Sequence, residues 1–309
     1  MKNILTILLI ALTIASCEKD PIEDGTILSI EYFPLEDEVA PVQTQTQSQT
    51  QSETVELPFI TFEYETINFA TGNANIYAVD VMGFVGDTHG TRIIDTFLSN
   101  GTDSNVTAID EIRTYTSNGS TQRGTTSGKG IKYLANVEEQ SILFSSSDTD
   151  NPEGIEESIT ALENNKNLLY IASLENTILE NDEWGYNTQE YPHGILDTKI
   201  MRTGRGLDRS IFVGGLRADD YGNLYASIYT RQFNEFENDA VFILSEDGSS
   251  SHSTPNVAAI AADLLNDGYS NEEIKQIILS MSTPTEVSNT IAIEDGVAIY
   301  QTLTVNVIH

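Results

Sequence analysis

A chain of 309 residues with 39% hydrophobic and 8% aromatic content can bury the core of one large domain or two small ones, which excludes coiled coil, collagen and wholesale disorder. Fifteen Lys and Arg against 47 Asp and Glu leave a formal charge of -32 and a pI near 4.1. Such a surface repels phosphate backbones and anionic headgroups and argues against nucleic acid as a partner. The single cysteine removes intramolecular disulfides and thiolate metal clusters, and the four histidines (89, 193, 252 and 309) bound any imidazole chemistry.

Lys2 supplies a positive n-region, and Ile4 to Ile14 form an apolar run too short to span a bilayer. Ile14-Ala15-Ser16 then precedes Cys17, which resembles a bacterial lipoprotein signal. That resemblance implies a signal peptide over 1–16, lipidation of Cys17 and a place in the cell envelope, anchored at the outer membrane or cell surface or facing the periplasm. The other reading is an ordinary secretory signal. Past it, the acidic stretch from Glu18 to about Glu53 contains the low-complexity run Gln43 to Ser52, with no residue able to pack a core. Residues 17–68 are therefore expected to form a solvated stalk, and 69–309 a single folded domain. Too little chain precedes the domain for a compact pro-domain, so signal removal and lipidation are the only processing expected.

Within the domain, Asn75 to Asp80 and Thr107 to Tyr115 read as strands, with Thr91 to Leu98 as a helix between them. A short helix follows over Lys129 to Val137, then a buried strand at Ser141 to Phe144 and an amphipathic helix at Gly154 to Asn164. Leu168 to Ser173 and Ile211 to Gly214 are further buried strands, and helices close the series at Thr254–Asn266 and Asn271–Met281. Continuous apolar strands alternating with helices predict an α/β fold of three layers, a mostly parallel central sheet with helices on both faces. Sites in such sheets form at the carboxyl ends of the strands.

Three segments carry candidate chemistry. In Ser251-His-Ser-Thr-Pro-Asn-Val-Ala258 a serine stands at the start of a helix, with Pro255 expected in its first turn. Backbone N–H groups and the positive helix end there face any anion that forms, although the same serine could simply be an N-cap. His89-Gly90-Thr91 opens a helix soon after the strand that ends at Asp80, and Leu168 to Asn176 is a buried strand running into a side-chain amide.

Taken in order, these blocks resemble the subtilisin-like serine proteases, from about Ile76 to Thr283. The resemblance implies a serine endopeptidase acting on polypeptides: Ser251 as nucleophile, His89 as general base, Asp80 orienting the imidazole and Asn176 donating to the oxyanion. It also implies that Ser145, Ser146 and Ser147 on one strand end and Glu175 on the next wall the pocket for the residue before the cut; a carboxylate there would favour basic side chains, and the alternative is that Glu175 turns away into solvent. The pattern departs from the family at Asp80-Val-Met-Gly83, at Ser249-Ser250 and at Glu175. Asp87 remains a rival acid, two residues from His89. His252, next to Ser251, is expected to point roughly 100° away and to be a poor base. An esterase on the same machinery and a catalytically inactive binding module are the alternatives. No cofactor or metal site is expected, and a monomer is the expected state.

Overall fold

The computed structural model describes residues 60–69, 75–100, 105–115, 121–146, 154–174, 195–226, 240–245, 248–294 and 297–309. Glu56–His309 is one compact unit; the other, Met1–Val55, which includes Cys17 and most of the expected stalk, lies outside the described residues. In chain order the elements are β1 (Ile60–Asn68), β2 (Asn75–Val79), α1 (His89–Ser99), β3 (Asn105–Tyr115), β4 (Thr121–Arg123) and α2 (Ser127–Tyr133). There follow β5 (Ser141–Ser145), α3 (Ile155–Asn164), β6 (Leu168–Ser173), α4 (Ile195–Thr203), a 3-10 turn at Leu207–Arg209, β7 (Ser210–Ala218) and β8 (Leu224–Ala226). The chain ends with β9 (Ala240–Leu244), α5 (Ser250–Asn266), α6 (Asn271–Met281), β10 (Ser282–Glu294) and β11 (Val297–Ile308).

The unbroken apolar runs become neighbouring strands: β3, β2, β5, β6, β7 and β9 lie side by side and parallel. Successive side chains on a strand point to opposite faces, so each run feeds two cores. Val79, Leu143, Tyr170 and Phe212 pack with Ile131 of α2, Ile159 of α3 and Ile200 of α4. Ala78, Phe144, Ile171 and Val213 pack with Ile93 and Phe97 of α1 and Val257 and Ala261 of α5. Full burial of one Leu, Ile or Phe is worth roughly 1.5–3 kcal/mol, which makes these runs the main stabilising term.

The expected three-layer, mostly parallel sheet is corrected by the strands beyond that block. β7 pairs antiparallel with β8, β8 parallel with β10, β10 antiparallel with β11, and β11 parallel with β9, which returns to β7. Five strands of mixed direction thus close on themselves as a small barrel-like circuit rather than ending in an open edge. The two longest ladders, β10 with β11 and β1 with β3, are both antiparallel. The reason lies in the pattern of the C-terminal hairpin, where buried Val287, Leu303, Val305 and Val307 are spaced by polar residues. That is period-two alternation, not a continuous apolar run. The sheet also begins at Ile60, inside the segment read as stalk, so the expected start of the folded domain at residue 69 is too late.

Candidate active site

The site starts where β2 ends. Asp80 is fully buried, and its backbone carbonyl accepts from the N–H groups of Gly83 (3.2 Å) and Thr125 (2.8 Å). Its Oδ1 accepts from the Met82 N–H at 2.9 Å, an Asx-type turn that fixes the carboxylate. Thr88 caps α1 in a reciprocal capping box with Thr91, and its Oγ1 donates to the Gly83 carbonyl at 2.8 Å. Turn and helix are thereby tied together. Gly90 permits the approach: a Cβ there would lie 2.3 Å from the Gly83 oxygen and 3.1 Å from the Asp80 Cβ.

These contacts bring His89 Nδ1 to 2.7 Å from Asp80 Oδ2. An ionised carboxylate only accepts, which assigns the proton to Nδ1 and the free lone pair to Nε2. The His89 side chain is 21% exposed while that of Asp80 is shut off, so of the pair only the imidazole reaches the surface. Asp87, the rival acid, has a side chain 96% exposed and stands 4.0 Å from the Arg92 Nε.

Ser251 comes from the first turn of α5, packed beside α1 and joined to it by Asn100 Nδ2 donating to Asn256 Oδ1 at 3.0 Å. β7 passes directly under this helix start. A Cβ on Gly215 would meet the Gly248 carbonyl oxygen at 2.2 Å, so only glycine lets the strand lie there. α5 begins at Ser250, earlier than expected, and Pro255 therefore falls inside the helix rather than in its first turn. Its missing N–H leaves the Ser251 carbonyl without its helical partner, a local loosening at the candidate nucleophile.

Ser249 is the N-cap, its Oγ accepting from the His252 N–H at 3.3 Å. Ser251 Oγ donates to Ser249 Oγ at 3.4 Å, and no hydrogen bond joins it to His89 among the described residues. The His252 ring, expected to point away, lies across from His89 with ring centroids 6.1 Å apart, and its Nδ1 is 3.0 Å from Ser249 Oγ. Sequence reasoning missed Ser249 and His252. Their three-residue spacing across a helix start signals a cap beside an imidazole, but not the approach of that imidazole to His89.

Ser145 and Ser146 end β5 beside Asp80, both buried. The Ser127 hydroxyl donates to Ser145 Oγ at 2.8 Å, whereas Ser146 Oγ is buried with no hydrogen-bond partner. Ser147, Glu175 and Asn176 lie outside the described residues, as does His193. His309 is far along the chain in a hydrogen bond to Thr283 Oγ1 at 3.0 Å.

Behind the Asp80 turn sits a buried charge cluster. Asp110 is 3.2 Å from Arg123, and Glu111 pairs with both Arg113 and Lys129. Burial pushes the Asp110 carboxyl above the usual carboxylate range, partly offset by the Arg123 guanidinium. No group of three or more His, Cys, Asp or Glu able to hold a metal occurs among the described residues.

No family model matches the chain, and no curated protein matches it. A solved structure from work on the structural basis of subtilase cytotoxin SubAB assembly aligns with 70% of this chain and 84% of its own, at 13% identity and a TM-score of 0.42. A likeness that distant carries no argument. The assignment to the subtilisin-like proteases, drawn from motif order, is therefore withdrawn, and what the site can do rests on its own geometry.

Proposed function

We propose that the protein is an exported, lipid-anchored serine endopeptidase that cleaves peptide bonds through an acyl-enzyme on Ser251. The observation that carries this reading is the Asp80–His89 pair at 2.7 Å, with the His89 ring 6.1 Å from that of His252, the residue that follows Ser251 on α5. A serine hydroxyl attacks a carbonyl only when a base takes its proton, and neutral His89 offers Nε2 for that purpose. As Oγ bonds to the carbonyl carbon, the proton passes to His89, and Asp80 stabilises the imidazolium through Nδ1–H. His89 then protonates the leaving amine, and a water hydrolyses the ester by the same route. The Ser251 N–H, in the first helical turn, has no intrahelical acceptor and can bind the developing oxyanion.

The reaction requires Ser251 to turn from Ser249 toward His89. Hydrogen bonds of this kind are often long or misaligned before substrate binds. The same observation favours a second reading, a catalytically inactive binding module whose serine is permanently held away from the base. Labelling with a serine-reactive fluorophosphonate separates the two. Labelling of the parent that disappears in Ser251→Ala supports the hydrolase, and an unlabelled parent supports the module. Among the described residues no helix is long and apolar enough to cross a membrane. The proposed anchor is a lipid on Cys17, read from the Ile14-Ala15-Ser16-Cys17 sequence. Cys17→Ser should shift the protein out of the membrane fraction.

A further inference from the structure

The Ser251 hydroxyl is engaged through Ser249 toward His252, the imidazole that the proposed triad does not use and whose ring lies 6.1 Å from that of His89. Ser249 Oγ accepts from the His252 N–H at 3.3 Å and from Ser251 Oγ at 3.4 Å. A hydroxyl has one hydrogen and two acceptor positions, so the Ser249 hydroxyl can accept both and still give its own hydrogen to His252 Nδ1, 3.0 Å away. The result is a continuous chain, Ser251 to Ser249 to His252, that ends on a ring 6.1 Å from His89. Ser251 has one hydrogen to give. It can enter this chain or go to His89 Nε2, not both.

We propose that Ser249 and His252 are positioning residues, a resting relay that competes with His89 for the hydroxyl of Ser251 and holds the nucleophile off its base until a substrate carbonyl draws it out. The inference rests on the reading of Ser251 as nucleophile. The relay acts through Ser251 and touches neither substrate nor the transferred proton. The local geometry suits such a hold: Pro255 frees the Ser251 carbonyl from the helix ladder, while Gly215 seats the 248–249 backbone firmly on β7.

The test is the second-order rate of fluorophosphonate labelling of the full-length protein, with thermal melting measured in parallel. Ser249→Gly removes the hydroxyl but keeps most of the N-cap, since glycine is itself a favourable residue there. Loss of one neutral hydrogen bond to the resting state predicts labelling about 2- to 10-fold faster, with melting little changed. Ser249→Thr restores a capping hydroxyl and should return the parental rate. His252→Phe cuts the relay at its far end and should accelerate labelling in the same direction, without adding to Ser249→Gly. A merely structural role for Ser249 would slow labelling as the helix start loosens, never raise it. Parental or slower labelling of Ser249→Gly overturns the relay while leaving the nucleophile in place. An unlabelled parent overturns the nucleophile and the relay together.

Discussion

At the scale of single residues, the proposed mechanism requires the Asp80–His89 pair and Ser251 to act only together. Ser251→Ala, His89→Ala and Asp80→Asn should each lower the hydrolysis of a casein-like substrate by factors on the order of 10³–10⁴, and the double variants should lose little more. Asp87→Asn should be mild, because that carboxylate stands in solvent beside Arg92. An essential Asp87 with a dispensable Asp80 would sink the proposed acid. Asp110 gives a prediction of another kind. Burial raises its folded pKa above the unfolded value, so the native state binds that proton more tightly. Its contribution therefore favours folding at acid pH and turns against it as pH climbs from the unfolded pKa through the folded one. Asp110→Asn fixes the neutral form, and Arg123 keeps Glu65 at 2.7 Å as a partner. In urea titrations the variant should match the parent near about pH 3 and become the more stable of the two by about pH 7. A variant less stable at neutral pH would mean that the ion pair with Arg123 outweighs burial.

At the scale of elements, the site depends on two close backbone approaches. Gly90→Ala would drive a Cβ to within 2.3 Å of a carbonyl oxygen that the Thr88 hydroxyl also holds, so α1 must move relative to the Asp80 turn. Overpacking of that kind costs about 1–3 kcal/mol, which a urea midpoint would detect, and it should weaken activity more than stability because His89 opens α1. A variant with the parental midpoint and rate would show that the approach is not needed. The same elements show how much was legible in advance. Leu168–Ser173 and Asn271–Met281 read true to their ends, one as a short apolar run and the other as a helix, which the structure shows opened by a Ser270–Glu273 capping box. The β10–β11 hairpin did not, because Pro284 lies in the ladder opposite Asn306, and a proline there argues against a strand. Asp80 and His89 stood out because both mark element boundaries. Ser249 and His252 did not, because the partner that gives the second imidazole its meaning lies across the cleft on α1. No spacing along the chain reveals that.

At the scale of the whole molecule, the closed circuit of β7, β8, β10, β11 and β9 leaves the sheet with one long open side. No strand pairs the outer edge of β1 among the described residues. Its unpaired N–H and C=O groups offer a template to a second copy of the chain, and proteins blunt such edges with charge. Glu63 and Glu65 are exposed on β1, and the net charge of -32 adds a long-range repulsion between copies. The two defences differ in range. The global repulsion is screened as the Debye length shrinks from about 10 Å at 0.1 M salt to about 3 Å at 1 M, whereas a carboxylate lying at the edge must still be desolvated when strands pair. The parent should therefore remain monomeric by light scattering at both ionic strengths. Glu63→Val removes one edge charge, supplies a β-branched side chain and spares the Glu65–Arg123 pair. It should stay monomeric at low salt and associate at 1 M, with mass growing by whole copies. A parent that associates at high salt would show that global charge alone keeps the chains apart. A variant that stays monomeric there would show that β1 is not the vulnerable edge.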